Sequence, residues 1–483
     1  MSVEIGPPNV LLLLNDHQAY YRHGWDGGVR PQIPAFERVA RSGMRFDTAY
    51  TPTALCVPAR RSLWTGLYPH NHGLMTNNDN APEKDGRCLF HPLSRHGYRQ
   101  YYYGKWHNGH THQFDHGCEG FSMAGYGHAY RAEAYRAYCE EHRIPPARAF
   151  LETTLEENEP IETELGLDEL GMASKSVGRL TTPTESHEAF FLSRLACDRL
   201  KQLKTAPTPW FMVVSFWGPH RPFLPSSEFA SQYKPQDIGR YRSLDIDLAS
   251  RPESYRFEHN HGLCDEAHRL RQPNPFPWSR WQHDLARSYA HVTMVDQAAA
   301  RILDALESCG LARNTVVIAS ADHGDAIASH GGHATKGPYM VEETYRIPLA
   351  IRWPGRVPPR ARNTSLVSLL DLAPTILEMA GTGFDHAVDG RSLVPLLLGK
   401  TDRVRSALLC EFNGLNDRPG FRDYPARMVV KEGLKYVATQ DSDIDELYDL
   451  RRDPYALHNL AGDPAHRATQ LDMIEELQRQ DSR

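Results

Sequence analysis

Four apolar runs constrain this chain most, because each ends on residues that can carry a proton, a metal or a charge. Val10–Leu14 runs into Asn15, Asp16 and His17, and Arg99–Tyr103 into Gly104, Lys105, Trp106 and His107. Trp210–Phe216 runs into Gly218, Pro219 and His220, and Thr315–Ser320 into Asp322, His323, Gly324 and Asp325. Short, nearly unbroken apolar runs suit strands buried on both faces of a parallel sheet. Helical patterns fall between them. The clearest, Ala290–Ser308, carries Val292, Val295, Ala299, Ile302, Leu303 and Leu306 on one stripe and stops before Gly310, a residue suited to a C-terminal cap. Strands alternating with helices predict an α/β fold, with a large, mostly parallel central sheet covered by helices on both faces. Ligands of such sheets bind outside the carboxyl ends of the strands. Turn chemistry explains one polar strand end; four together predict one site at one edge.

At 483 residues the chain has room for a large domain and a smaller one. After Thr364–Gly381 the character changes: Ala426–Thr439 reads as two strands about a Lys-Glu-Gly turn, and an amphipathic helix closes the chain. This predicts a catalytic domain over 1–384 and a smaller α+β domain with a short antiparallel sheet over 385–483. Glu156–His187 is acidic and weakly periodic and reads as a long insertion or lid. Ser250–Pro277, rich in Pro, His and Arg, is a second irregular stretch. Substrate choice is expected to reside in these two stretches and in the C-terminal domain.

With 54 basic and 60 acidic residues the net charge is −6, which gives no reason to expect nucleic acid or an anionic membrane as partner. The opening MSVEIGPPNVLLLLNDHQ has no basic n-region, and its apolar run is too short to span a bilayer, so the expectation is a buried strand in a cytoplasmic protein. Cys56, Cys88, Cys118, Cys139, Cys197, Cys264, Cys309 and Cys410 are scattered without a CxxC pair, which points to a reducing compartment. The 25 histidines cluster in phrases such as His107, His110 and His112, a density that suits metal or acid–base chemistry. A homo-oligomer is compatible with the sequence but has no signature in it.

The phrase LCVPARRSLWTG, Leu55–Gly66, stands apart. Pro58 suits a first helical turn, where its missing N–H has no partner to lose. Arg60, Leu63 and Trp64 continue a helical pattern. Cys56 is thereby placed at a helix N-terminus, where unpaired N–H groups and the dipole favour an anion. By itself this fits a reactive thiolate or a buried cysteine, the usual fate of a lone Cys.

CVPARRSLWTG resembles the sulfatase signature, C/S-x-P-x-R followed by [LW]-TG. YGKWHNG, FWGPHRPF, ASADHGD, KGPYMVEE, YRIPLAIRWPG, SLLDLAPTILEMAG and ELYDLRRDPYALHNLA are similar to that family's other blocks, in its order, across nearly the whole chain. The resemblance implies a type I sulfatase of the alkaline phosphatase superfamily, close to the branch of choline sulfatases, arylsulfatases and phosphonate monoester hydrolases. It implies that Cys56 is oxidised to formylglycine by a formylglycine-generating enzyme that reads the CxPxR context. A hydrated aldehyde offers two hydroxyls on one carbon: one binds a divalent metal and attacks sulfur, and the other expels sulfate afterwards by reforming the aldehyde.

The resemblance further implies Asp16, Asp322, His323 and the modified Cys56 as metal ligands, a set that suits Ca²⁺, Mn²⁺ or Mg²⁺ better than zinc. Many sulfatases carry Asp-Asp and Asp-Asn where this chain has Asn15-Asp16 and Asp322-His323. That departure leaves the metal open and adds Asn15 as a candidate ligand. Arg60 is expected to hold the formylglycine hydroxyl. Lys105 and Lys336 are expected to clamp sulfate oxygens. His107 is expected to take the proton of the second hydroxyl, and His220 to serve the leaving oxygen. Asn78, as a substrate-binding residue, and His72 are candidates for the pocket lining; Asp325, His330 and His333 are candidates for orienting the ligands.

The implied reaction is hydrolysis of a small-molecule sulfate ester (aryl, choline or sugar sulfate) to an alcohol or phenol plus sulfate. The rival is a phosphonate monoester or phosphodiester hydrolase with the same nucleophile, a class without the Lys-x-His block that this chain carries at Lys105 and His107. A catalytically dead binding protein would have lost a nucleophile or ligand, and none is missing. Tyr20, Tyr21, Trp25, Trp106 and Trp217 are candidates for stacking on a sugar or aryl ring.

Overall fold

Val10–Leu14 is apolar without alternation because both its faces are covered. Leu11 and Leu13 join one cluster with Tyr289, Val295 and Ile302, and Val10, Leu12 and Leu14 join another with Leu63, Phe90 and Ile376. The computed structural model describes residues 6–20, 28–78, 87–157, 159–172, 174–415, 423–442 and 444–482. Tyr21 and Trp25 lie outside the described residues. In chain order the strands are Asn9–Asp16 (β1), Met44–Tyr50 (β2), Arg99–Gly104 (β3), Glu119–Phe121 (β4), Arg148–Thr154 (β5), Thr163–Gly166 (β6), Ser176–Leu180 (β7) and Trp210–Pro219 (β8). They continue with Thr315–Ala321 (β9), Arg346–Arg352 (β10), Ala361–Asn363 (β11), Val367–Ser368 (β12), Ala407–Phe412 (β13), Ala426–Lys431 (β14), Leu434–Thr439 (β15) and Glu446–Asp449 (β16).

The central sheet has the order β11-β2-β10-β9-β1-β8-β3-β4, with β12 also paired to β2. β9, β1, β8, β3 and β4 run parallel, and β10 runs antiparallel between β2 and β9. The four runs expected from the sequence are four adjacent strands, β9, β1, β8 and β3, so their carboxyl ends share one edge. The long helix behind them is Trp278–Ser308, longer than its clearest stripe, because Trp281, Leu285 and Tyr289 continue the buried face toward Pro277. It ends as expected at Gly310, whose φ is 74°. Gly310 N–H donates to Glu307 O at 2.9 Å and Leu311 N–H to Leu306 O at 3.1 Å, the paired bonds of a Schellman cap.

The stretch expected as an insertion or lid contains structure of its own. β6 and β7 flank β5 in a three-stranded antiparallel sheet, and Ala149, Leu151, Leu165, Val177 and Leu180 sink into the main core. Val177 and Leu180 also bridge to Phe223 and Ser226, just past β8. In the C-terminal region β14 and β15 form the expected hairpin. Glu432 and Gly433 both hold positive φ, 49° and 79°, as a tight turn matching the strand twist requires. β13 and β16 complete an antiparallel sheet of order β13-β14-β15-β16. Leu409, Val429 and Tyr436 on one face meet Met473 and Leu477 of the closing helix Arg467–Asp481. Cys410, Met428 and Val437 on the other face meet Tyr50, Leu55 and Met340, beside Cys56. All eight cysteines are free thiols, and among the described residues no helix is long and apolar enough to cross a membrane.

Gly104 ends β3 with φ 106°, and a Cβ there would overlap the Ser215 carbonyl oxygen of β8. Gly104→Ala is expected to lose about 2 kcal/mol or more of stability. Thermal unfolding checks this; an unchanged midpoint would contradict the close approach of β3 to β8.

Candidate active site

The helix Cys56–Thr65 begins with no side-chain cap from its own N-cap residue, Leu55. The cap comes from outside: Asn77 Oδ1 accepts the Val57 N–H at 3.0 Å. His72 braces the next turn, with Nε2 3.0 Å from Ser62 Oγ and 3.2 Å from Pro58 O, while Nδ1 accepts the Leu74 N–H at 3.1 Å. Every residue of this helix is buried, and Gly66 closes it in the left-handed region. The result is a rigid mount for Cys56 at its first turn.

Cys56 Sγ lies 3.1 Å from His323 Nε2 and accepts from Lys336 Nζ at 2.9 Å. One donor atom each from Asp16, Cys56, Asp322 and His323 lies within 4.8 Å of the others, and all four residues are buried. His323 Nδ1 donates to its neighbour's carbonyl, Gly324 O, at 2.9 Å, which leaves the Nε2 lone pair facing the cluster. Asp322 Oδ1 is held by the His17 and His323 N–H groups at 3.0 and 2.8 Å. Two oxygen donors, one imidazole and residue 56 on a dry floor fit a divalent cation.

Positive groups surround this floor. Lys105 Nζ donates to Asp16 Oδ2 at 2.5 Å and sits 4.3 Å from the Tyr126 ring. Arg60 Nε donates to Asp322 Oδ2 at 2.9 Å, and a second guanidinium nitrogen reaches Asp16 Oδ1 at 3.4 Å. The third nitrogen donates to Lys105 O at 2.7 Å and Ser215 Oγ at 2.9 Å. Arg60, expected to hold the hydroxyl of residue 56, thus directs its hydrogen bonds to the two carboxylates and to β3 and β8. Burial pushes Asp16 up, but Lys105, His220 and Arg60 reverse this and hold it well below the usual carboxylate range. Burial and the charge of Asp16 push Asp322 up. Burial likewise raises the Cys56 thiol, and the ammonium groups of Lys105 and Lys336 outweigh it, leaving the thiol well below its ordinary value.

Two histidines stand half-buried over this floor. Burial, then the Lys105 charge, lowers His107 to about 4; its ring faces Cys56 and meets Tyr126 at 5.3 Å. Burial also lowers His220, to about 3. His220 Nδ1 lies 2.6 Å from Tyr126 Oη and 2.7 Å from Arg221 O. His17 and His107, each just past a strand end, hold positive φ of 62° and 43°.

Other candidates sit elsewhere. Asn15 turns its amide to Gln18 Oε1 at 2.6 Å. Asn78 is exposed, and its neighbour Asn77 makes the helix cap. His72 serves the helix rather than a pocket wall. Asp325, buried, is 3.7 Å from His17 Nε2 and feels the charges of Lys336 and His323. His330 meets Glu343 and His333 meets Glu258, each at 3.2 Å, away from the four donors. Trp106 stacks on Trp64 in the core, with ring centroids 6.0 Å apart. Asn77, Tyr126 and Ser215 carried no signal in the sequence, because their partners are brought up by the fold.

The sulfatase family model matches residues 8–382, and the model of the N-sulphoglucosamine sulphohydrolase C-terminal region matches residues 332–483. An uncharacterized sulfatase of Escherichia coli, YidJ, is 30% identical over 94% of this chain and 83% of its own length. The Delta 4,5-hexuronate-2-O-sulfatase of Bacteroides thetaiotaomicron is 25% identical over 95% of this chain and 85% of its own. A phosphonate monoester hydrolase from Silicibacter pomeroyi has the same fold, with a TM-score of 0.77 at 20% identity over 98% of this chain and 94% of its own. The chain is therefore a member of the sulfatase family, within the alkaline phosphatase superfamily.

Proposed function

We propose that the chain hydrolyses sulfate monoesters, using formylglycine made from Cys56 and one divalent cation held by Asp16, Asp322, His323 and residue 56. The observation that carries this reading is the meeting of Cys56, at a helix N-terminus, with three further donors and two buried lysines at one sheet edge. A divalent cation there would supply Lewis-acid charge to the sulfate oxygens and to the attacking hydroxyl.

Lys105 and Lys336 bind the sulfate oxygens from two sides and offset their charge as the S–O bond breaks. The helix N-terminus adds the N–H dipoles of its first turn. His107, neutral near pH 7, is the base for the second hydroxyl of residue 56. His220 serves the leaving oxygen: its Nδ1 faces a carbonyl oxygen and a phenol oxygen, partners that stabilise the protonated ring once an anionic ester lies beside it. The burial of this floor excludes bulk water and strengthens each of these interactions. A sugar sulfate is the favoured substrate class, since the hexuronate 2-O-sulfatase is a relative across nearly the whole chain.

Released sulfate from aryl and sugar sulfates tests the activity, with a phenyl phosphonate monoester as comparison; a large kcat/KM preference for the phosphonate would overturn the sulfatase reading. Peptide mass spectrometry should show residue 56 lighter than cysteine by about 18 Da, whereas ordinary thiol oxidation adds mass; an unmodified thiol in active enzyme would refute the nucleophile. Lys105→Ala and Lys336→Ala should each lower kcat/KM by about 10²–10³-fold. Chelation should abolish turnover, and re-addition of Ca²⁺, Mn²⁺ or Mg²⁺ in turn identifies the ion. His220→Asn should slow alkyl sulfates more than 4-nitrophenyl sulfate, whose leaving group needs little help; equal losses would remove His220 from the proton step.

A further inference from the structure

Lys336 is carried by a loop without regular structure, yet its ammonium is placed 2.9 Å from Cys56 Sγ. The support comes from the irregular stretch Ser250–Pro277. Glu258 is buried there, and its Oε1 accepts the His259 and Asn260 N–H groups at 2.8 and 2.9 Å and Asn260 Nδ2 at 2.6 Å. These bonds fix the carboxylate and aim Oε2 at His333 Nδ1, 3.2 Å away. His333 Nε2 in turn lies 2.9 Å from Tyr255 O. One ring nitrogen of His333 thus faces a carboxylate oxygen and the other a backbone carbonyl oxygen, which fixes the orientation of the ring.

The His333 ring stacks on Tyr339 at 4.0 Å, with 26° between the planes. Tyr339 Oη donates to Thr335 O at 2.8 Å, one residue before Lys336. Gly337 lies so close to the Tyr339 ring that a Cβ there would meet it. Asn274 adds two bonds, from Nδ2 to Gly331 O and Gly332 O at 2.9 and 3.2 Å. The loop is thus wrapped around one tyrosine and pinned at its root by the contact between Glu258 and His333.

We propose that Glu258 is a positioning residue for sulfate recognition: through His333 and the Tyr339 ring it fixes the loop that presents Lys336 beside residue 56. This rests on Lys336 as a sulfate clamp. A residue that acts only through Lys336 has nothing left to affect once Lys336 is gone, whereas a general loss of stability lowers activity in any background.

The test is a double-mutant cycle on kcat/KM for 4-nitrophenyl sulfate, with Glu258→Gln, Lys336→Ala and the two combined. Binding of inorganic sulfate by titration calorimetry runs in parallel, since it needs no turnover, and unfolding midpoints confirm folding. Glu258→Gln is expected to lower kcat/KM and sulfate affinity about tenfold alone and less than twofold in the Lys336→Ala background. Losses that multiply in full, or no loss in the single variant, would overturn the proposal. Tyr339→Leu, which removes the stack on His333, carries the same cycle if Glu258→Gln does not fold. Wild-type protein that shows this pattern in sulfate binding but turns over no sulfate ester would refute the hydrolase reading and keep the positioning role. Wild-type protein that neither binds sulfate nor hydrolyses its esters refutes both.

Discussion

The Arg60 guanidinium is the point on which the site's architecture turns. It leaves the helix that carries Cys56 and reaches the ends of four parallel strands: Asp16 of β1, Asp322 after β9, Ser215 of β8, and the carbonyl of Lys105 after β3. Two carboxylates this close, fully out of water, repel each other, and neither would stay ionised alone. A planar, permanently charged fork with five N–H donors meets both at once, which a lysine could not do. Breaking a buried pair of this kind costs about 3–5 kcal/mol, because it strands a charge away from solvent. Arg60 thereby ties the helix that carries Cys56 to the sheet and, with Lys105 and His220 at Asp16 and His323 at Asp322, offsets the charge of the two carboxylates.

Around that centre the charges divide the work by distance. Arg60 and Lys105 meet the carboxylates directly, while Lys336 meets Cys56 and His323, with Nζ 3.3 Å from His323 Nε2. Cations gathered at a shared floor favour an anionic guest. Burial lowers both half-buried histidines above, His107 to about 4 and His220 to about 3. On the proposed reading, an anionic ester offsets part of that cost for His220 and makes it a proton donor to the leaving oxygen.

What was legible in the chain follows from how local each signal is. The runs at 10–14, 99–103, 210–216 and 315–320 announced themselves because strands buried on both faces need no polar residues, and the sheet order then brought their ends together. The hairpin at 432–433 was legible because its turn is set by two residues. The three-stranded sheet of β5, β6 and β7 was hidden: β6 and β7 are four and five residues long and lie in a stretch rich in acidic residues, so periodicity reads as a loop. Asn77 caps a helix that begins 21 residues earlier, and Glu258 meets a histidine 75 residues later. Neither partnership has a sequence signature, since both exist only after folding. The strand ends already placed Asp16, Asp322 and His323 at one edge, and Cys56 joined them in advance only through the family motifs.

Cys56 is 1% exposed, and its neighbour Leu55 packs against the sheet face carrying Cys410 and Met428. A thiol so buried cannot be presented to a second protein's reaction centre unless the packing around it opens. Any enzyme that rewrites this side chain must reach it while the polypeptide is still open, during or soon after synthesis. On the proposed reading, conversion of residue 56 competes with folding, and a molecule that closes first keeps its sulfur for life.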